Sequence, residues 1–471
     1  MNTITTDVVV IGAGPGGYAA AFYAADKGKS VVLVERDARL GGVCLNRGCI
    51  PSKALLHAAK LIDEAKESSF RGIHFTPPRI DLDQMRSWKD SVIEKLAGGV
   101  RTLAQKRGVT ALEGKAYFED SRTLRVETAS GQQFITFSKA IVAVGSRPAM
   151  PAAFDLGNPR VMTSTEALEI EEIPEKLLVV GGGYIGMELG TVYGTLGSEV
   201  IVVEALPAVL AGADQDLVRP VLRRAAKLFK EIRTSVKVLK MATSGKHIKV
   251  DIEMNGEKRQ EMYDRVLVSV GRAPNCADMG LENTKIARDE KGYIKVDKHQ
   301  QTADPNILAI GDVVGGVMLA HKASKEARVA VETIVGEDTV FENIIIPAVV
   351  FTDPEIAWAG MTEADAKAAN RTVEVVKFPW TASGRALSFD RTDGLTKLIV
   401  DPESERILGA GIVGAGAGEL IGEAVVAMEM GATAYDLSQS VHPHPTLSET
   451  WMECAEAFYG HATHVLSKKK P

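Results

Sequence analysis

A glycine-rich turn set between a buried strand and a helix, and written twice, constrains this chain more than any other feature. Val8-Val9-Val10-Ile11 reads as a buried strand, runs into Gly12-Ala13-Gly14-Pro15-Gly16-Gly17, and is followed by Tyr18 to Lys27, a small-residue stretch able to form a helix. In such a unit Gly12 permits the tight turn, Gly14 lets backbone approach a pyrophosphate, and Gly17 lets helix and strand pack closely. The helix N-terminus offers unpaired N–H groups to the phosphates. Val31-Val32-Leu33-Val34 forms a second strand, and Glu35 at its end is placed to accept hydrogen bonds from an adenosine ribose. The pattern returns at Leu177-Leu178-Val179-Val180, then at Gly181, Gly183 and Gly186 of the turn Gly181-Gly182-Gly183-Tyr184-Ile185-Gly186, then at Val200-Ile201-Val202-Val203-Glu204. In both copies the acid follows the first glycine by 23 residues. One such turn is weak evidence, and glycines serving packing alone are the alternative. Two complete copies require strand, turn, helix and carboxylate to coincide twice. An α/β fold with two doubly wound, Rossmann-like units and two dinucleotides is expected.

Directly after the first copy stands Gly41-Gly42-Val43-Cys44-Leu45-Asn46-Arg47-Gly48-Cys49-Ile50-Pro51-Ser52-Lys53, with two thiols five positions apart. As a structural staple, so short a ring would contribute about 2 kcal/mol. A chain of 471 residues, 45% of them apolar and four of them cysteine, is not built as a disulfide scaffold. Zinc is a second alternative, since the pair supplies half of a tetrahedral site. The other half is weak, because Cys276 and Cys454 are isolated and His442-Pro443-His444 lacks the usual finger spacing. No metal is expected. The third reading is redox chemistry: a nicotinamide exchanges hydride, a thiol pair exchanges two electrons, and a flavin between them is the natural converter. That places FAD on the first copy and NAD on the second. Between Ile201 and Val218 there is no Lys or Arg to receive a ribose 2'-phosphate, and Glu204 would repel one by about 4 kcal/mol at an effective dielectric near 20, so NAD is favoured over NADP.

The net charge of −6 gives no basic footprint for nucleic acid or an anionic membrane, and neither is expected as a partner. No apolar run reaches the length of a membrane span; Ile344-Ile345-Ile346-Pro347-Ala348-Val349-Val350-Phe351 is strand-length and holds a proline. Met1 precedes the first strand by only a few residues, leaving no room for a leader, so a cytoplasmic location with reduced thiols is expected. The length suggests about three domains.

Taken together, these residues resemble the pyridine nucleotide-disulfide oxidoreductases over essentially the whole chain. Beyond the fingerprints and the cysteine motif, the resemblance rests on Val270-Gly271-Arg272-Ala273-Pro274-Asn275, Ala309-Ile310-Gly311-Asp312, Met318-Leu319-Ala320-His321-Lys322-Ala323, Thr352-Asp353-Pro354-Glu355-Ile356-Ala357 and His442-Pro443-His444-Pro445-Thr446-Leu447-Ser448-Glu449. It implies FAD held by Gly12, Gly14, Gly17, Glu35, Gly42, Val43, Lys53, Gly114, Ala116, Gly145, Asp312 and Ala320. It likewise implies NAD held by Gly181, Gly183, Gly186, Glu204, Val236 and Gly271. Cys44 is implied to exchange with substrate and Cys49 to face the flavin. Lys53 is implied to lie by the flavin and pair with Glu188, His444 to accept the proton of a substrate dithiol, and Glu449 to orient His444. The implied reaction is oxidation of protein-bound dihydrolipoamide to lipoamide with reduction of NAD, as the shared dehydrogenase of 2-oxo acid dehydrogenase complexes. Implied partners are a second copy, in a homodimer whose His444 completes the other subunit's site, lipoyl-bearing acyltransferases, and the glycine-cleavage lipoyl protein. Sister reductases of the family carry arginines for a 2'-phosphate or a C-terminal redox pair; this chain lacks the former and ends Ser467-Lys468-Lys469-Lys470-Pro471. Another disulfide reductase of the family, or a non-catalytic zinc-binding subunit of a complex, are the alternatives.

Pro51 suits a first helical position, which puts Ala54, Ala58, Leu61 and Ala65 on one helix face and Cys49 at its N-terminus, where a thiol's pKa falls. Thr446-Leu447-Ser448-Glu449 reads as a capping box opening a helix whose apolar face is Leu447, Trp451, Cys454 and Phe458, with Cys454 a core residue. His442 is expected to support the turn before it, and Cys276 has no evident partner. Four regions are expected: a FAD domain over 1–148, an NAD domain over 149–271, a central region over 272–345 that completes the FAD domain, and an α+β dimerisation domain over 346–471.

Overall fold

Val8, Val9 and Val10 are all buried because the strand that carries them, Thr3–Ile11, lies inside a parallel sheet covered on both faces. The computed structural model of the chain describes residues 3–342 and 344–466; the terminal Ser467-Lys468-Lys469-Lys470-Pro471 lies outside the described residues. In this first sheet Thr110–Glu113, Val31–Glu35, Thr3–Ile11 and Gly131–Val142 run parallel in that order. The first part of Gly131–Val142 pairs antiparallel with Thr123–Thr128, which continues to Lys115–Asp120. Its last three residues pair in parallel with Ile307–Ala309, far along the chain. One face, with Val8, Val10, Leu33 and Ile141, packs on Ala20, Ala21 and Ala24 of the helix Pro15–Asp26 and on Ala327 and Ala330 of the helix Ala320–Ile334. The other face, with Val9, Ile11, Val32 and Val34, packs on Phe118, Leu124 and Phe137. Each such buried valine or leucine is worth about 1.5–3 kcal/mol relative to exposure.

A second parallel sheet orders Glu231–Arg233, Glu199–Val203, Lys176–Val180, Arg265–Val268 and Val161–Met162. Leu177, Val179, Val200 and Val202 face Met187, Leu189 and Val192 of the helix Tyr184–Leu196. Leu178, Val180, Ile201 and Val203 face Ile248, Val250 and Ile252 in an antiparallel sheet of Val236–Ser244, His247–Met254 and Glu257–Tyr263. The chain leaves the first unit and returns to it through one antiparallel pair, Ser146–Pro148 with Arg272–Pro274.

The third unit is an antiparallel sheet in the order Ala348–Val350, Glu355–Gly360, Ile407–Gly414, Leu395–Val400, Glu374–Pro379, covered by the helices Ala417–Glu429 and Glu449–Tyr459. Trp380, Phe378, Trp451, Cys454 and Phe458 form its core. A Cβ at Gly394 would lie 2.1 Å from the Trp380 ring, so glycine there is the condition for burying that indole. The architecture is the expected one: two doubly wound α/β units with an α+β unit after them. Among the described residues no helix is long and apolar enough to cross a membrane.

Two local expectations are corrected. The helix after the thiols is Cys49–Glu67, so it starts two residues before Pro51. Its buried residues are Pro51, Ser52, Leu55, Leu56 and Ala59, and Leu61 is 54% exposed. The spacing of Ala54, Ala58, Leu61 and Ala65 traces a partly exposed face, because alanines sit on either side of a helix at little cost and do not mark the core by themselves. The helix Glu449–Tyr459 has Ser448 as its N-cap with no side-chain cap. The Thr446 hydroxyl bonds the Pro443 carbonyl and Ser448, and only the carboxylate half of a capping box forms, from the Thr446 N–H to Glu449 Oε2 at 2.7 Å.

Candidate active site

Gly12 adopts φ +97°, and a Cβ there would lie 2.5 Å from the Ala143 carbonyl oxygen; at Gly17 one would lie 1.8 Å from the Gly12 oxygen. At Gly14, by contrast, the nearest atom is the Gly42 Cα at 4.0 Å, so the turn leaves space where backbone N–H groups point outward. Beside it Glu35 is buried and latches the turn, Oε2 accepting the Ala13 N–H at 2.7 Å and Oε1 the Asp37 N–H at 3.1 Å. Burial pushes the Glu35 carboxyl above its usual range, opposed by those two N–H groups.

A single cleft enclosing about 1630 Å³, part of it open to solvent, is lined by Gly12, Gly14, Glu35, Gly42, Val43, Lys53, Gly114, Ala116, Gly145, Asp312 and Ala320, together with Cys44, Cys49 and Glu188. Gly17 lies beneath the turn rather than in the wall. Asp312 is held by the Ser146 hydroxyl, which in turn accepts Arg272 Nε at 2.6 Å. An open glycine cradle, a buried acid beside it and an anchored acid in the wall of the same cleft fit an elongated dinucleotide such as FAD. Gly181, Gly183, Gly186, Glu204, Val236 and Gly271 lie on the second unit, outside this cleft. There Gly181 (φ +108°) and Gly186 are again closed by backbone, at 2.4 and 2.1 Å, and Gly183 is again open. Glu204 accepts the Gly182 N–H at 2.7 Å and the Leu206 N–H at 2.8 Å, and the Val236 N–H reaches the Glu204 carbonyl at 2.9 Å. The second turn is therefore shaped for a second nucleotide in the same way.

Cys44 sits on the short helix Gly42–Arg47 and Cys49 is the first residue of the next helix, so a helix dipole favours negative charge on Cys49. Both thiols are free. The Cys44 thiol donates to the Cys49 sulfur; that bond and the Lys53 ammonium bring Cys49 down to about 7, against desolvation by the surrounding protein and the Glu188 charge, although the residue itself is exposed. The same bond, with burial, pushes Cys44 far up. The two sulfurs are thus inequivalent. Lys53 Nζ bonds Glu188 Oε2 at 2.7 Å, and Glu188, its side chain 4% exposed, accepts the Phe351 N–H at 2.9 Å. His444 and Glu449 do not line the cleft. His444 is 75% exposed, with Nδ1 at 2.9 Å from Glu449 Oε1, which leaves Nε2 as the free base. The Thr446 N–H and His444 hold Glu449 below the usual carboxylate range, against partial burial. His442 bonds the Ser440 carbonyl and Glu423.

Neither Cys44 nor Cys49 joins a third His, Cys, Asp or Glu in metal-binding geometry among the described residues. The carboxylate cluster that does, Asp214, Asp216 and Glu363, already surrounds the buried Lys397 ammonium at 2.6–2.9 Å. Cys276 lies buried with its sulfur 2.9 Å from the Gly292 carbonyl, and Cys454 is a core residue.

Residues 6–327 match the pyridine nucleotide-disulphide oxidoreductase family, and residues 346–455 match the dimerisation domain of the same family. The chain belongs to the pyridine nucleotide-disulphide oxidoreductases. Among curated members, the dihydrolipoyl dehydrogenase of Haemophilus influenzae is 46% identical over 467 residues, covering 99% of this chain and 98% of the relative. That of Bacillus subtilis is 44% identical over 464 residues, covering 98% of each. Among solved structures, LpdA from Mycobacterium tuberculosis superposes with a TM-score of 0.89 at 25% identity, covering 96% of this chain and 99% of that one. The HOCl-induced flavoprotein disulfide reductase RclA from Escherichia coli superposes at 0.85 with 28% identity, covering 96% and 99%.

Three supports of this family's cleft escape the motif reading. Ser146 and Arg272 anchor Asp312, as above. Glu326 accepts the Gly311 N–H at 2.6 Å and pairs with buried Lys322 at 2.5 Å, fixing the turn that carries Asp312. Phe351 stands over Lys53. Arg272 and Lys322 lie inside the motifs quoted above, where a charged residue among apolar neighbours is the signal; Glu326 is one helical turn past Lys322 and is found by that spacing.

Proposed function

We infer that the chain is an NAD-dependent dihydrolipoamide dehydrogenase, oxidising protein-bound dihydrolipoamide to lipoamide and reducing NAD to NADH. The observation that carries the reading is the pair of inequivalent thiols in the wall of the cleft that the first glycine turn opens. The cofactors are FAD and NAD. With Cys44 and Cys49 joined, a substrate thiol loses its proton to His444 Nε2, and the thiolate attacks the Cys44 sulfur. Cys49 leaves as thiolate, because the sulfur with the lower pKa is the better leaving group. The second substrate thiol, deprotonated in turn, attacks the substrate sulfur on Cys44, closing the lipoyl ring and releasing Cys44, which takes the proton and donates its hydrogen bond to Cys49. Lys53 and Glu188 hold the charge at the cleft floor, and Glu449 fixes the His444 ring. When bound, FAD supplies the acceptor for the electron pair and the source of hydride for NAD.

Since His444 stands outside its own chain's cleft, the working unit is a homodimer in which each subunit's His444 serves the other's thiols. Residues 1–148 with 272–345 form the FAD domain, 149–271 the NAD domain and 346–471 the dimerisation domain. The enzyme is cytoplasmic, and its partners are the lipoyl-bearing acyltransferases of 2-oxo acid dehydrogenase complexes and the glycine-cleavage lipoyl protein. The test is steady-state NAD reduction with dihydrolipoamide and with reduced glutathione. Activity with dihydrolipoamide alone supports the reading, and equal rates with both defeat it. Co-refolding the inactive Cys44→Ser and His444→Gln homodimers tests the shared site: about a quarter of the activity returns if the two groups come from different subunits, and none if they come from the same one.

A further inference from the structure

The Lys53 ammonium is gripped from three sides. Glu188 Oε2 accepts from it at 2.7 Å and Ser52 Oγ at 3.2 Å, while the Phe351 ring lies beneath it with its centroid at 4.5 Å. Phe351 follows the strand Ala348–Val350 and belongs to the segment that matches the family's dimerisation domain, whereas Lys53 and Ser52 sit on the thiol-bearing helix and Glu188 on the second nucleotide unit. Its backbone is committed as well, since the Phe351 N–H is the donor to Glu188 Oε1 at 2.9 Å. Behind the ring, a Cβ on Gly418 would lie 3.4 Å from Phe351 Cε1, and the Gly418 N–H is held by Glu355 at 3.0 Å. The helix Ala417–Glu429 thus backs the aromatic ring that meets the lysine.

We propose that Phe351 is a positioning residue for the thiol pair: its ring, supplied by the dimerisation segment, fixes the Lys53 ammonium where it acts on Cys49. A ring face attracts an ammonium through its quadrupole, and the attraction strengthens where water is excluded. Lysine has a long flexible stem, so removing one of three anchors lets the charge swing toward solvent. The groups that act on Cys49 are Cys44, Lys53 and Glu188, with Tyr18 and Tyr184 nearby; of these the third unit anchors Lys53 through the Phe351 ring and Glu188 through the Phe351 N–H. The backbone bond from residue 351 to Glu188 survives any side chain, which separates the ring's contribution from the loop's.

The inference rests on the redox reading of Cys44 and Cys49, and its test reads the thiol itself. Trypsin cleavage at Arg39, Arg47 and Lys53 puts Cys44 and Cys49 on separate peptides, so alkylation of each by iodoacetamide is followed by mass spectrometry in the reduced full-length protein across pH. In Phe351→Leu the midpoint for Cys49 moves up by about half a pH unit, as part of the Lys53 charge's hold on the thiolate is lost when the ammonium swings away. Phe351→Tyr keeps the ring face and stays with the wild type. Phe351→Met, which fills the volume without a ring, repeats the Leu result and stands in for it should that variant not fold. An unmoved midpoint in Leu or Met, or a Tyr variant displaced as far as they are, overturns the proposal. A wild-type Cys49 that titrates like an ordinary thiol instead overturns the reading of the pair, so the two failures are distinguishable.

Discussion

In the first nucleotide unit Glu35 accepts the Ala13 N–H at 2.7 Å, and in the second Glu204 accepts the Gly182 N–H at the same distance, each acid taking another N–H two residues further on. The first and third glycines of both turns are closed by backbone and the middle one is open. What differs is the surrounding. The first turn faces the thiol-bearing helices across Gly42, whose Cβ would lie 2.6 Å from the Gly14 Cα, and its acid is buried. The second turn has no thiols beside it, and its acid is half-exposed with Ala205 and Leu206 after it. The glycine-and-acid latch builds a nucleotide turn without choosing the nucleotide. Choice comes from the residues packed beyond it.

The two units differ most at sulfur. Cys44→Ser or Cys49→Ser lowers dihydrolipoamide:NAD turnover by more than about 10³-fold with FAD still bound, since the cradle is untouched; activity and flavin absorbance check this. Alanine at the third glycine is next. With contacts of 1.8 Å at Gly17 and 2.1 Å at Gly186, either change costs about 3 kcal/mol in its own unit. Gly17→Ala loses flavin retention and Gly186→Ala raises the KM for NAD, which the bound-flavin ratio and NAD kinetics distinguish. Removing the half-exposed charge of the second unit has a smaller effect. Glu204→Gln keeps an oxygen for the latch and improves NADP relative to NAD by about tenfold in kcat/KM, whereas Glu35→Gln leaves that ratio unchanged. The smallest is a pH profile. Cys49, lowered to about 7, alkylates with a midpoint near that pH, its thiolate fraction rising as pH rises, while Cys44 stays the slower thiol throughout the neutral range.

Both nucleotide units were legible because strand, glycine turn and acid are local in sequence and each glycine has a steric reason. The third unit is legible as a class; the helix that opens at Cys49 does carry Ala54, Ala58, Leu61 and Ala65 on one face, but alanines have too little apolar area to say which face is buried, and the buried one is that of Leu55, Leu56 and Ala59. The capping box at Thr446 was read from residue types, yet Glu449 instead uses one oxygen on the Thr446 N–H and the other on His444. Ser146 and Phe351 carry no sequence signal as site residues, and the charges of Arg272 and Glu326 stand out in the sequence without their targets, because each acts on a partner brought to it only by folding: Asp312, Gly311 and Lys53.

Gly131–Val142 pairs along its last three residues with Ile307–Ala309, and the second unit lies wholly between them in the chain. On a ribosome, which delivers residues from the N-terminus onward, the host sheet waits for its final strand until the guest has emerged and closed. A nascent chain halted near residue 310, with its last stretch still inside the ribosome, therefore carries a finished inner module inside an unfinished outer one, and protease added at that moment cuts the earlier-made segment first.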